Sequence, residues 1–116
     1  MNIFKKIKAS LRFFEAVRKA DKAHEATGER YYVMPMSENK KQLIILDRRN
    51  FRKLKHKGYV NSSVKIGDLE RECFYCTSYR NGKDALPTNV RNMKLNLYYK
   101  WSDNTNRKSQ KEDTKK

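Results

Sequence analysis

The sequence predicts an α+β domain: a long N-terminal amphipathic helix packed on a small antiparallel sheet with additional short helices, followed by a disordered basic C-terminal tail. Three observations predict it. Phe4, Ile7, Leu11, Phe14 and Val17 recur at intervals of three and four, with Ala20 and Ala23 continuing the row, which is the period of one helical face. After Gly28 the apolar residues become β-branched and aromatic and fall in short runs, which is the signature of strands. From Ser102 onward there is no apolar residue at all, so that stretch has nothing to bury. The expected organisation is one domain over residues 1–101 and a tail over 102–116.

The first helix is expected from Ile3 to Ala26, with Thr27-Gly28 as its stop because glycine accepts the left-handed conformation of a helix end. Phe13 lies beside Phe14 and either widens the stripe or projects off it; exposed, it would mark a partner surface. Tyr31-Tyr32-Val33 and Leu43 to Leu46, separated by the polar run Ser37 to Lys41, read as a β-hairpin. Asp47 is placed to cap a second helix through Phe51 and Leu54 to Lys57, closed by Gly58. Tyr59-Val60 and Val64 to Ile66 suit short strands, and Asp68 suits the start of a helical turn through Leu69 and Cys73. Arg80-Asn81-Gly82 is a turn signal. Residues 88–101 fit two patterns: Val90, Met93, Leu97, Tyr98 and Trp101 make a helical face, and Leu95, Leu97, Tyr99 and Trp101 make a strand face. Thr88 as an N-cap favours the helix.

Composition narrows the function. Hydrophobic residues are 37% of the chain and charged ones 35%, so the core is small; seven Tyr, five Phe and one Trp make it aromatic. The net charge of +15 points to polyanions or acidic protein surfaces as partners. No stretch approaches the ~20 apolar residues of a membrane span, and Met1 to Ala20 lacks the apolar run of a signal peptide. A peripheral grip on an anionic membrane by the first helix ranks low, since the same stripe is needed for the core.

Cys73-Phe74-Tyr75-Cys76 has the spacing of half a metal site or of a redox pair. The only histidines, His24 and His56, show no ligand-like spacing, so no metal is expected. Glu70 and Glu72 beside the motif would raise a thiol pKa, which favours inert buried thiols. With no Gly-rich phosphate loop, nucleophile elbow or ligand cluster, neither an enzyme nor a cofactor is expected. The run Arg48 to Lys57 is the densest basic site, and Arg48, Arg49, Arg52, Lys53, Lys55 and Lys57 could lie along a phosphate backbone by counterion release. Tyr31, Tyr32, Tyr59, Tyr75, Tyr79, Tyr98, Tyr99 and Trp101, near Arg30, Arg80 and Lys100, could stack on bases, but in so small a core most of them are needed inside.

The stretch Gly28 to Pro35, followed by Leu43-Ile44-Ile45-Leu46-Asp47-Arg48-Arg49-Asn50-Phe51-Arg52-Lys53-Leu54-Lys55, resembles small basic proteins of gut Bacteroidetes and their crAss-like phages. The resemblance spans residues 28–58. It implies a small virion component on the head or near the portal, and it brings no catalytic residues with it. The expected function is therefore that of a non-enzymatic phage structural or auxiliary protein, present in multiple copies on acidic capsid or portal surfaces, with Phe13, Arg48, Arg49 and Arg52 at the contact. It would be made in the host bacterial cytoplasm and reside in the virion. The alternative is a non-specific nucleic-acid-binding protein of the bacterial cytoplasm that uses residues 48–57 and the tail on DNA.

Overall fold

The computed structural model describes residues 2–36, 42–79 and 82–114, with side chains through Asp103. The hairpin loop over Ser37 to Lys41, and Arg80 and Asn81 of the expected turn, lie outside the described residues. The chain runs α1 (Ile3–Thr27), β1 (Tyr32–Pro35), β2 (Leu43–Leu46), α2 (Arg48–His56), a 3-10 turn (Ile66–Asp68), α3 (Leu69–Glu72), β3 (Tyr75–Cys76) and α4 (Thr88–Thr114). This is the α+β arrangement expected.

Local chemistry explains where the elements begin and end. Asn2 caps α1 by accepting from the Lys5 amide at 2.9 Å, and Gly28, at φ 76°, lets its own amide reach the His24 carbonyl at 2.7 Å. Asp47 caps α2 as expected, accepting from the Asn50 amide at 2.9 Å and from its side-chain amide at 2.8 Å. Replacing Asp47, which is buried, with alanine is expected to cost about 1 kcal/mol; thermal denaturation checks this, and an unchanged midpoint would mean that the cap is redundant.

The sheet has strand order β2-β1-β3 and is antiparallel throughout, with Tyr32 opposite both Leu46 and Cys76 and Val33 opposite both Ile45 and Tyr75. The third strand is Tyr75–Cys76, not the expected Tyr59-Val60 or Val64 to Ile66. Asn61 turns the chain there by accepting from the Ser63 amide and hydroxyl, both at 2.9 Å, and an Asx turn competes with strand pairing. Val60 is buried without being in a strand.

Alternation along β1 creates two cores. Tyr32 and Met34 face α2 and α3, packing with Leu46, Phe51, Val60, Leu69, Cys73 and Cys76. Val33 faces α1 and meets Ala16 and Ala20. Where α1 meets α4, an aromatic cluster forms. The Phe13 and Tyr98 rings are 5.0 Å apart, Phe74 and Tyr98 5.4 Å, and Phe74 and Trp101 5.5 Å. The Tyr98 hydroxyl donates to the Ala9 carbonyl at 2.7 Å. Residues 88–101 are thus helical, and the strand alternative is ruled out. The apolar face ends at Trp101, while the helical backbone continues to Thr114, a span that holds neither Gly nor Pro.

The face α1 buries is not the one its large residues trace. Ala9, Phe13, Ala16, Val17 and Ala20 are buried, whereas Phe4, Ile7, Leu11 and Phe14 are exposed. The small side chains let the helix backbone come close to the sheet and to α4, and close packing outweighs the size of any one side chain.

Candidate functional site

The exposed stripe of α1 is the largest departure from an ordinary surface. Ile3, Phe4, Ile7, Leu11 and Phe14 are between 52% and 75% exposed, and all of them but Phe4, with Lys6 and Ser10, line a shallow depression of about 320 Å³. At ~100° per residue the stripe lies roughly 140° round the helix from the centre of the buried row Ala9, Phe13, Ala16, Val17 and Ala20. Lys5, Lys8 and Arg12 are exposed along one flank. Lys6 stands on the other flank, with its ammonium 5.4 Å from the Tyr99 ring centre. A contiguous apolar strip rimmed by cations is the pattern of a docking surface. Phe13 is not part of it: only 5% exposed, it sits against Tyr98 and Phe14 and is a core residue, so the contact role expected of an exposed Phe13 is corrected.

The basic helix α2 lies across the sheet from α1, anchored by Phe51 and the half-buried Leu54. Arg48, Arg49, Arg52, Lys53 and, past its end, Lys57 are exposed. Arg49 meets Glu29 at 3.8 Å but remains 81% exposed, so this pair holds it only loosely. Lys55 departs from the set named for phosphate binding. Its ammonium donates to the Val64 carbonyl at 2.6 Å and lies 5.6 Å from the Phe51 ring centre, so it ties down the following loop. The contact faces expected on α1 and α2 belong to opposite layers and do not make one site. Of the eight aromatic residues considered for base stacking, none is exposed: Tyr32 and Tyr98 are buried and the rest half-buried.

A third constellation lies inside. Cys73, just past α3, and Cys76 on β3 are both 2% exposed and both free thiols. Arg30, 5% exposed, donates through Nη2 to the Cys76 sulfur at 3.0 Å and to the Asp84 carbonyl at 3.1 Å. Its Nε has no hydrogen-bond partner, and its guanidinium lies 4.6 Å from the Tyr79 ring centre. Glu70 approaches it at 3.7 Å but is 61% exposed, so water screens much of that attraction. Lys94, 4% exposed, donates to the carbonyls of Glu70 at 2.7 Å and Cys73 at 2.9 Å, closing the end of α3.

These cations divide the two thiols. A hydrogen bond from Cys73, assisted by Arg30, holds Cys76 down at about 7 against the opposing effect of burial. Cys73 is pushed up, first by keeping that shared proton and then by burial. The Glu70 carbonyl, 3.3 Å from the Cys73 sulfur, is the other acceptor open to that single proton. The expectation of buried thiols holds, but the expectation that acidic neighbours would raise a thiol pKa does not hold for Cys76, because Cys73 and Arg30 hydrogen-bond its sulfur. Sequence reading missed Arg30 and Lys94. The available signals were strand alternation, which puts Arg30 on the face of Tyr32 and Met34, and the i+4 row Val90, Lys94, Tyr98, which puts a lysine on the buried side of α4.

Among the described residues no group of three or more His, Cys, Asp or Glu converges as metal ligands would. No described helix is long and apolar enough to cross a membrane. Comparisons with protein-family models, with curated proteins and with solved structures return no match.

Proposed function

We propose that this protein is a non-enzymatic structural or auxiliary component of a phage particle, seated in several copies on acidic surfaces of capsid or portal proteins. The observation that carries this reading is the α1 stripe of Ile3, Phe4, Ile7, Leu11 and Phe14, exposed and bordered by Lys5, Lys6, Lys8 and Arg12. Apolar burial supplies the holding energy, and the basic rim selects an acidic partner and speeds encounter. Arg48, Arg49 and Arg52 on the opposite layer give a second basic face, which suits a module set between two neighbours in a shell. Residence in the virion, after synthesis in the host bacterial cytoplasm, follows from this reading and from the resemblance over residues 28–58.

The nucleic-acid reading keeps one specific support, the exposed row Arg48, Arg49, Arg52, Lys53 and Lys57. It leaves the α1 stripe without a role, since phosphates gain nothing from phenylalanine and leucine, and we rank it second.

Purified particles, washed in about 1 M salt to suppress weak electrostatic contacts, test both. Retention at a fixed ratio to the major capsid protein, on full and DNA-emptied heads alike, is expected. The double variant Phe4→Ser, Leu11→Ser should fall at least ~10-fold in incorporation, which corresponds to losing ~1.4 kcal/mol of binding, with an unchanged circular dichroism spectrum. Absence from particles, or full incorporation of the folded double variant, would overturn the reading. Loss only together with the DNA would establish the nucleic-acid alternative, and binding to anionic liposomes but not to shells would make the stripe a lipid anchor.

A further inference from the structure

The dithiol between β3 and α3 plays no part in docking, yet its surroundings are unlike those of a structural cysteine. A buried guanidinium needs a counter-charge, since a lone buried ion is costly. Among the described residues no buried carboxylate stands against Arg30: Glu70 is at the rim, and Nη2 reaches the Cys76 sulfur at 3.0 Å and the Asp84 carbonyl at 3.1 Å. The Asp84 carbonyl and the Tyr79 ring are neutral partners, so a thiolate at Cys76 is the charge that would balance the ion from inside the core, and the site suits a sulfur anion. The neighbouring Cys73 keeps its proton, for which the Cys76 sulfur and the Glu70 carbonyl are the two acceptors at hand.

We propose that Cys76 is a nucleophilic thiolate and that Cys73 and Cys76 are a two-electron redox pair, with Arg30 as the positioning cation that makes Cys76 the sulfur that reacts first. The co-reactant is a small-molecule disulfide. The Cys76 thiolate attacks one sulfur of that disulfide, forming a mixed disulfide and expelling the other half as a thiolate. Cys73 then gives up its proton to that thiolate and attacks the Cys76 sulfur, which closes the Cys73–Cys76 bond and expels the second half. The protein loses two electrons and the one proton of Cys73, and the small disulfide leaves as one thiol and one thiolate, the latter taking its proton from water.

Access comes through the weakest part of the sheet. β3 pairs with β1 over two residues only and lies at the sheet edge. The exposed segment from Gly82 to Ala85 is tied to the site by the bond from Arg30 to the Asp84 carbonyl. Segments with so few backbone bonds open locally without global unfolding. Closing the disulfide removes the anion facing Arg30, so oxidation leaves that guanidinium with the Asp84 carbonyl, the Tyr79 ring and the exposed Glu70 alone and loosens the fold around it.

The test uses the full, reduced protein. Incubation with oxidised glutathione is expected to give a product lighter by two hydrogens, with peptide mapping locating the bond between Cys73 and Cys76, and Cys73→Ser should stop at a glutathione adduct on Cys76. Alkylation of Cys76 in the folded protein should rise with a midpoint near pH 7, from the hydrogen bonds that hold that thiol down. Arg30→Gln should slow it about 5-fold at neutral pH, the consequence of raising the midpoint by about one unit. If the variant fails to fold, the wild-type pH profile still decides: a midpoint near the ordinary thiol value of ~8.5 overturns the proposal. So does modification of both sulfurs only at the rate of global unfolding, an adduct on Cys73 first, or an Arg30→Gln rate equal to that of the wild type.

Discussion

Replacing Tyr98 with alanine is expected to destabilise the protein by about 4 kcal/mol, a large share of the roughly 5–15 kcal/mol that holds a domain of this size together. Tyr98 is 1% exposed, packs against Phe13, Phe74, Tyr99 and Trp101, and joins α4 to the backbone of α1 through its bond to the Ala9 carbonyl. Truncation opens a cavity where aromatic packing joins these two long helices. Tyr98→Phe keeps the packing and loses only the hydrogen bond, so it should cost about 1 kcal/mol. Denaturant titration followed by Trp101 fluorescence separates the two. Equal losses for both variants would show that the hydroxyl, not the ring, joins the helices. Burial also pushes the Tyr98 hydroxyl up to about 12. Its contribution is therefore complete below pH ~10, where an unfolded tyrosine begins to ionise, and disappears as the pH rises through about 12.

Lys94→Met is expected to cost about 2 kcal/mol. A four-residue helix such as α3 satisfies few of its own carbonyls, and the Lys94 ammonium supplies donors to those of Glu70, Arg71 and Cys73. Methionine fills similar space without a donor, so the carbonyls are left to the core or to entering water. Relief from burying a charge offsets part of this loss, which keeps the expected figure below that for Tyr98→Ala. Lys94 also favours ionisation of both thiols, so the variant should move the Cys76 alkylation midpoint upward. Wild-type stability would mean that water replaces the ammonium at no net cost.

Signals that act within a few residues were legible in the sequence. The 3/4 spacing gave α1 and Asp47 gave the start of α2. The strand runs around the polar segment gave the hairpin, and Thr88 tipped residues 88–101 toward helix. Choices that depend on distant partners were not legible. The stripe of Phe4, Ile7, Leu11 and Phe14 has the better apolar pattern, yet Ala9, Phe13, Ala16 and Ala20 go inside, because the space left by the sheet and α4 admits only small side chains beside one ring. Arg30 meets Cys76 across 46 positions and Lys94 meets Glu70 across 24. In both cases a charge is buried against composition, for reasons that exist only once the chain has closed.

The separation of the two faces of α1 has an evolutionary consequence. Ile3, Phe4, Ile7 and Leu11 share a helix with Ala9, Phe13, Ala16 and Ala20 but lie outside the buried clusters, and Phe14 touches them only through the edge of Phe13. Mutations that retune partner choice can accumulate on the outer row at almost no thermodynamic penalty, while the inner row stays fixed. A lineage carrying this scaffold is therefore free to follow a changing partner surface, one outward residue at a time, without passing through an unfolded intermediate sequence.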